Sequence, residues 1–306
     1  MTKIFIDGSA GTTGLRIYQR LADRPELNIL TLPEELRKDT EARRVALNSA
    51  DIAFLCLPDA AAREAVTLVD NPDTVIIDTS TAHRTAPGWT YGFPELVGAD
   101  AVRGSKRIAN PGCHASGFVA LVAPLVRAGL LAADTKLTCF SLTGYSGGGK
   151  PMIAAYEAAD RDPLLGAPRQ YGLAQTHKHL PEMAVVCGLE NDPVFCPIVG
   201  DFYSGMEVTV PLFGCDLNGT IEDIKTTYQA IYTGSLVSYC DEADEGGFLS
   251  AAALAGRDSM QLSVSGNHDR ILLTARFDNL GKGASGAAIQ NMNMLLGVDE
   301  TTWLVI

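Results

Sequence analysis

Asn110-Pro111-Gly112-Cys113-His114 is the stretch of this sequence best suited to covalent chemistry. A short apolar run, Arg107-Ile108-Ala109, leads into it, and a helical pattern over 117–131 leads out. A cysteine at a helix start meets unpaired backbone N–H groups and the positive end of the helix dipole. Both favour the thiolate, which is the nucleophilic form. A packing role as a small hydrophobe fits a lone cysteine equally well, so the neighbouring motifs must decide. His177-Lys178-His179-Leu180-Pro181-Glu182 supplies two imidazoles that share a face if the chain is extended there. Such a pair suits proton transfer. No further ligands stand at a zinc spacing, so no metal is expected.

A second kind of chemistry is written near the amino terminus. Lys3-Ile4-Phe5-Ile6-Asp7 reads as a strand, Gly8-Ser9-Ala10-Gly11-Thr12-Thr13-Gly14 as a loop, and 15–21 as a helix. Strand, glycine loop and helix start together make a phosphate-binding arrangement, because loop glycines let a pyrophosphate approach backbone N–H groups. The spacing is G-x-x-G-x-x-G, not the commoner G-x-G-x-x-G. The next strand, 27–32, ends without the acidic residue that holds a ribose 2′-hydroxyl, and Arg37 and Lys38 lie just beyond. That favours NADP over NAD, unless the two cations merely form a solvated helix face. Thr143-Gly144-Tyr145-Ser146-Gly147-Gly148-Gly149-Lys150 is a further glycine-rich stretch, fit to wrap an anion or to act as a flexible connector.

The elements that must carry these groups alternate in the first third of the chain. Apolar strands at 51–57 and 74–78 flank a helix at 59–69 that Asp59 is placed to cap. The alternation predicts an α/β fold with a Rossmann-type doubly wound parallel sheet and a site at the strands' carboxyl ends. Asp78-Thr79-Ser80-Thr81-Ala82-His83-Arg84 is such an end, polar and rich in hydroxyls. Beyond Cys113, runs at 135–142, 201–213, 261–264 and 269–277 read as a largely antiparallel sheet. A glycine-rich turn at 278–286 then opens a helix at 287–296 that returns to the first domain.

At 306 residues, with 46% hydrophobic and 20% charged residues, the chain has room for two domains and a sizeable core. A net charge of −12 argues against nucleic acid and anionic membranes as partners. No apolar run is long enough to span a bilayer. Seven scattered cysteines without a C-x-x-C pair are the usage of a reducing compartment, so a cytoplasmic location is expected.

Six motifs in order resemble the shorter form of N-acetyl-γ-glutamyl-phosphate reductase. They are the 8–14 loop, Tyr91-Gly92-Phe93-Pro94-Glu95-Leu96, Asn110-Pro111-Gly112-Cys113, Ser146-Gly147-Gly148-Gly149-Lys150, the His177–His179 motif, and Gly281-Lys282-Gly283-Ala284-Ser285-Gly286 running on to Gln290-Asn291-Met292-Asn293. The longer form follows its cysteine with Tyr-Pro-Thr, where this chain has His114-Ala115-Ser116.

The resemblance implies an NADP-binding Rossmann domain over 1–113 plus 279–306, and an α+β catalytic and subunit-interface domain over 114–278. It implies reduction of an acyl phosphate to N-acetylglutamate 5-semialdehyde through a thioester on Cys113, with a histidine cycling the proton; the sequence leaves His177 and His179 both open for that role, and we favour His177 by a narrow margin. Gly8 to Gly14, Ser80, Gly147, Gly148, Asn279, Lys282 and Gly283 are the cofactor residues it implies. Arg84, Asn110, Ser146, Lys150 and Glu182 are the substrate residues. A homo-oligomer, dimer or tetramer, is expected. The rival readings are an aspartate-semialdehyde dehydrogenase, whose nucleophile motif is usually Asn-Cys-Thr, a carrier-linked aminoadipate semialdehyde dehydrogenase, and a non-catalytic NADP sensor.

Overall fold

The computed structural model describes residues 1–306. Their contacts divide into two compact units, Met1–Gly112 with Ala284–Leu304, and Cys113–Gly283 with Val305–Ile306.

The first unit runs β1 (Thr2–Asp7), α1 (Thr12–Leu21), β2 (Leu27–Leu30), α2 (Thr40–Ser49), β3 (Ile52–Leu55), α3 (Asp59–Thr67), β4 (Val75–Asp78), β5 (Thr90–Tyr91), α4 (Pro94–Val97), α5 (Ala99–Arg103) and β6 (Arg107–Ala109). Its strands pair in the order β2-β1-β3-β4-β6-β5, all parallel. Strand periodicity sorts the apolar residues into two layers. Ile4, Ile6, Phe54, Ile77 and Ile108 pack with Ile17 and Leu21 of α1 and with Ala288, Ile289 and Met292 of the late helix Gly286–Leu295. Phe5, Ala53, Leu55 and Ile76 pack with Ala46 and Leu47 of α2 and with Ala62 and Ala65 of α3. The sheet is therefore covered on both faces, as the sequence alternation predicts.

Asp59 does not cap α3. Its carboxylate accepts from the backbone N–H and the hydroxyl of Thr81, the N–H bond measuring 3.0 Å. The helix instead starts behind Pro58, with no side-chain cap. A residue with cap chemistry has been taken by the loop after β4.

The second unit comprises α6 (Cys113–Arg127), β7 (Thr138–Gly144), α7 (Gly149–Glu157), β8 (Arg169–Gln170), α8 (Leu180–Cys187), β9 (Val194–Gly200), β10 (Met206–Phe213), α9 (Ile221–Ile231), β11 (Val237–Tyr239), β12 (Met260–Gly266) and β13 (Arg270–Phe277). The sheet order is β11-β12-β13-β10-β7-β9-β8. It is mixed: β7 pairs parallel with β9 and β11 with β12, while the other pairs are antiparallel.

Helix α6 is the buried axis of this unit. Gly117 lets it lie close on the sheet, since a Cβ there would stand 2.6 Å from Val208 Cγ2 and 2.9 Å from Phe277 Cε1. Pro124 sits inside the helix and has no N–H for the carbonyl of Ala120, four residues back. The Tyr232 hydroxyl, just past α9, donates to that carbonyl at 2.6 Å, and Tyr228 of α9 donates to Leu121 O at 2.6 Å. Tyr232 thus supplies the donor that Pro124 withholds from Ala120, and Tyr228 adds a second donor at the neighbouring Leu121 carbonyl.

The chain re-enters the first unit at Ala284, where the sequence points to 279. The difference lies in Asp278, whose buried carboxylate accepts from Ser204 Oγ at 2.8 Å, Leu280 N at 2.6 Å and Gly281 N at 3.1 Å. These bonds hold the glycine-rich turn within the second unit.

Candidate active site

Cys113 is the first residue of α6, half-buried, with no acidic side chain in the helix's first turn. Three of the other cysteines contrast with it. Burial pushes the Cys56 thiol up to about 12 and raises those of Cys139 and Cys187 as well. These three are packing residues, whereas Cys113 stands at the positive end of a 15-residue helix.

Around Cys113 the second unit gathers an imidazole cluster. The His114 ring lies 5.7 Å from that of His177 and 5.6 Å from that of His179, centroid to centroid, and His177 and His179 are 4.8 Å apart. Phe195 of β9 packs edge-on against both His114 and His177, at 5.3 and 5.1 Å. The histidine motif is not extended, as the shared-face argument assumes. It turns, with His179 in helical conformation just ahead of α8, and the turn lets the His179 backbone N–H reach His177 Nδ1 at 3.2 Å. Burial first, and Lys178 second, lower the pKa of His177. Glu182, in the first turn of α8, is buried in the same unit.

His114 carries two short side-chain bonds. Nδ1 lies 2.6 Å from Ser141 Oγ of β7, and Nε2 lies 2.6 Å from the Tyr171 hydroxyl. Sequence reasoning passed over Ser141 and Tyr171. Ser141 is one more position in an alternating strand, and Tyr171 has only its proximity to the histidine motif to mark it.

The glycine-rich stretch after β7 is neither a free loop nor a strand. It forms a tight helical turn, Tyr145–Gly148, that runs into α7. Ser146 is buried and accepts from Asn279 Nδ2 at 3.0 Å, while Asn279 Oδ1 accepts from Gly205 N at 3.0 Å. Gly147, Gly148 and Lys150 are exposed, and Lys282 is buried. A Cβ on Gly283 would come within 3.1 Å of the Cys113 Cβ, so only glycine leaves that flank open.

In the first unit, the 8–14 loop has the shape a pyrophosphate needs. Gly8 has φ +87°, and a Cβ there would meet Cys56 O at 2.3 Å. One on Gly14 would meet Gly8 O at 2.4 Å. Helix α1 starts at once, with neither a side-chain cap nor an acid in its first turn, so its first N–H groups are left for an anion. These residues fit a dinucleotide. Past β2, Arg37 and Lys38 are exposed.

Ser80 donates its hydroxyl to Asp78 at 2.8 Å, and the same carboxylate is 2.6 Å from His83 Nδ1, whose ring stacks on Trp89. Arg84 donates to Asn110 O and Thr79 O, both at 3.0 Å. The Asn110 side chain donates to Ala284 O at 3.0 Å and accepts from Asn291 at 3.4 Å. Asn110 and Arg84 thus brace the strand ends of this unit. No group of three or more His, Cys, Asp or Glu side chains is placed to hold a metal ion.

Two family models divide the chain between them. "Semialdehyde dehydrogenase, NAD binding domain" matches residues 3–104, and "Semialdehyde dehydrogenase, dimerisation domain" matches residues 113–279. Aspartate semialdehyde dehydrogenase II of Vibrio cholerae, solved with ASA, superposes with a TM-score of 0.71 over 97% of this chain and 98% of that one. At 15% identity that likeness concerns the fold. The fold and its cysteine-bearing second unit are those of the semialdehyde dehydrogenases.

Sequence relatives narrow the class. A protein of Rhizobium meliloti named N-acetyl-gamma-glutamyl-phosphate reductase is 48% identical, over 96% of this chain and 98% of its own length. One of Pseudomonas putida, N-acetyl-gamma-glutamyl-phosphate reductase 2, is 45% identical over 96% of each. The chain belongs to the N-acetyl-gamma-glutamyl-phosphate reductase family.

Proposed function

We propose that the chain reduces N-acetyl-γ-glutamyl phosphate, with NADPH, to N-acetylglutamate 5-semialdehyde and phosphate, a step of arginine biosynthesis in the cytoplasm. The observation that carries this reading is the half-buried Cys113 at the start of α6, set in one unit with the ring cluster of His114, His177 and His179. A protein that only sensed NADP would have no use for that grouping.

In this reading the Cys113 thiolate attacks the acyl carbon and phosphate leaves, giving a thioester. The 8–14 loop holds the pyrophosphate of NADPH, which when bound supplies the hydride for reduction to the aldehyde level. Backbone N–H groups at the start of α6 hold the oxyanion that develops on the former carbonyl.

The two histidines divide the proton work. With Nδ1 of His177 accepting the His179 N–H, a neutral His177 carries its proton on Nε2 and is a donor to the substrate oxygen. That leaves His179 to take the Cys113 proton and return it on collapse of the thiohemiacetal, which reverses the preference drawn from the sequence. Lys150 is the cation assigned to the substrate's anionic groups, and Glu182 is assigned to the histidine end of the site. Ser80, Gly147, Gly148, Asn279, Lys282 and Gly283 remain the further cofactor contacts.

The subunit interface is assigned to the open face of the second sheet. There Phe140 stands opposite Cys196 and Thr209, and Pro211 opposite Leu272. Phe140 and Leu272 remain 43% and 44% exposed, a large apolar area for a lone sheet face. Phe140→Asp should lower the mass seen by sedimentation, and an unchanged mass would remove this face from the interface.

Cys113→Ala tests the nucleophile. Turnover should vanish while NADPH binding persists, and retained turnover would reject the thioester route.

A further inference from the structure

Three side chains that the reaction scheme leaves unassigned form a continuous hydrogen-bonded row: Ser141, His114 and Tyr171. We propose that Ser141 and His114 are positioning residues that fix the Tyr171 hydroxyl as a hydrogen-bond donor toward the sulfur of Cys113. The proposal rests on the reading of Cys113 as the nucleophile.

Proton accounting gives the row a direction. Ser141 is fully buried in β7, and its hydroxyl has His114 Nδ1, at 2.6 Å, as its side-chain partner. A buried O–H needs an acceptor, and an imidazole nitrogen accepts only when it carries no proton. The His114 proton therefore sits on Nε2, which donates to the Tyr171 oxygen at 2.6 Å. With its oxygen already receiving that bond, Tyr171 directs its own proton away from His114. The opposite tautomer would leave the Ser141 hydroxyl proton buried without an acceptor, at the full desolvation penalty. A charged imidazolium would do the same. Burial, with His177 and Lys178 alongside, excludes it by lowering the His114 pKa to about 3.

The direction of the freed proton follows from the surroundings. His114 is the residue after Cys113 on the first turn of α6, so a group bonded to its ring lies at the cysteine end of the helix. Of the rings beside the row, Phe195 has no side-chain acceptor, and His177, 6.0 Å from Tyr171, accepts the His179 N–H on Nδ1 and so, when neutral, carries its proton on Nε2. Cys113 is near enough to Tyr171 to act on it electrostatically, and together with burial it keeps the phenol protonated.

The segment is also held from behind. Tyr171 N donates to Pro197 O at 3.0 Å. Gln175, at φ +54°, uses its side-chain amide to bond both Phe195 N, at 2.9 Å, and Phe195 O, at 2.7 Å. A non-glycine residue in the left-handed region is uncommon, and here its side chain stands in for a strand partner of β9. A phenol held at its backbone and at its oxygen in this way is a preorganised donor for the thiolate.

The test is the pH profile of Cys113 alkylation by iodoacetamide in the full chain, followed on the Cys113 peptide by mass spectrometry. It needs no substrate. Tyr171→Phe should move the midpoint upward by about one pH unit, the size expected of one hydrogen bond to a charged acceptor. Ser141→Ala frees the His114 tautomer and should move it part of the way. The double variant should match Tyr171→Phe alone, because Ser141 acts only through the phenol. Both changes remove a single oxygen, and the thermal midpoint of each variant reports any packing effect separately. An unmoved profile in either single variant, or a Ser141→Ala shift that adds in full to that of Tyr171→Phe, overturns the proposal. If blocking Cys113 leaves wild-type turnover intact, the nucleophile reading fails instead, and the profiles still decide the row.

Discussion

The backbone N–H of His179 donates to Nδ1 of His177, so the two histidines of the motif are chemically unlike although only one residue separates them. In the proposed reaction His177 is therefore the Nε2 donor and His179 the group that exchanges protons. His179→Asn should lower kcat by ~10²–10⁴-fold, the usual worth of a general acid–base group. His177→Asn should act mainly on KM, because a donor to the ground-state carbonyl is used in binding as well as in turnover. Steady-state kinetics of the two variants decides the matter, and a larger kcat loss in the His177 variant would reverse the roles.

What the sequence made legible was whatever local pattern controls. Ile52–Leu55 is buried on both sides, so its unbroken apolar run identifies an inner parallel strand without any tertiary information. The tight turn at Gly8 and the helix start at Cys113 are legible because glycines and helix starts act within a few residues. Ser141 and Tyr171 meet His114 only after β7 and β9 have paired, with 57 positions between His114 and Tyr171. Asp59 has the chemistry of a cap, but Thr81, 22 positions on, takes its carboxylate. Asn110 looks like a substrate contact by its place in the motif, yet its amide lies between Ala284 and Asn291. Long-range competition for polar groups carries no sequence period.

Pro124 and Tyr232 give a stability prediction. Tyr232→Phe leaves the Ala120 carbonyl buried without that donor, a loss of about 1–3 kcal/mol. The thermal midpoint should fall by several degrees with kcat unchanged. Adding Pro124→Ala returns a backbone N–H to the same carbonyl and should recover part of the loss. An unchanged midpoint in Tyr232→Phe would show that the carbonyl is served otherwise.

Acid should destabilise the protein partly through His114. Its folded-state pKa of about 3 lies below the usual 6.5. Between those values the unfolded chain binds a proton that the folded chain refuses, so stability rises with pH across that window and falls on acidification. One such group contributes a slope of at most about 1.4 kcal/mol per pH unit. His177, shifted in the same direction, adds to it. Urea unfolding between pH 5 and pH 7 should show a flatter dependence in His114→Gln than in wild type. Equal slopes would mean that His114 accepts its proton in the fold.

The central claim is the substrate, and the reverse reaction tests it most directly because acyl phosphates hydrolyse. Purified protein is given NADP⁺, inorganic phosphate and either N-acetylglutamate 5-semialdehyde or aspartate semialdehyde, and NADPH absorbance is followed. One methylene discriminates by only ~1–3 kcal/mol, but an ammonium in place of a neutral acetamide adds the penalty of desolvating a charge. Phosphate-dependent NADPH formation with the acetylated semialdehyde, and little with the other, is the predicted result. Equal or faster NADPH formation with aspartate semialdehyde would contradict it.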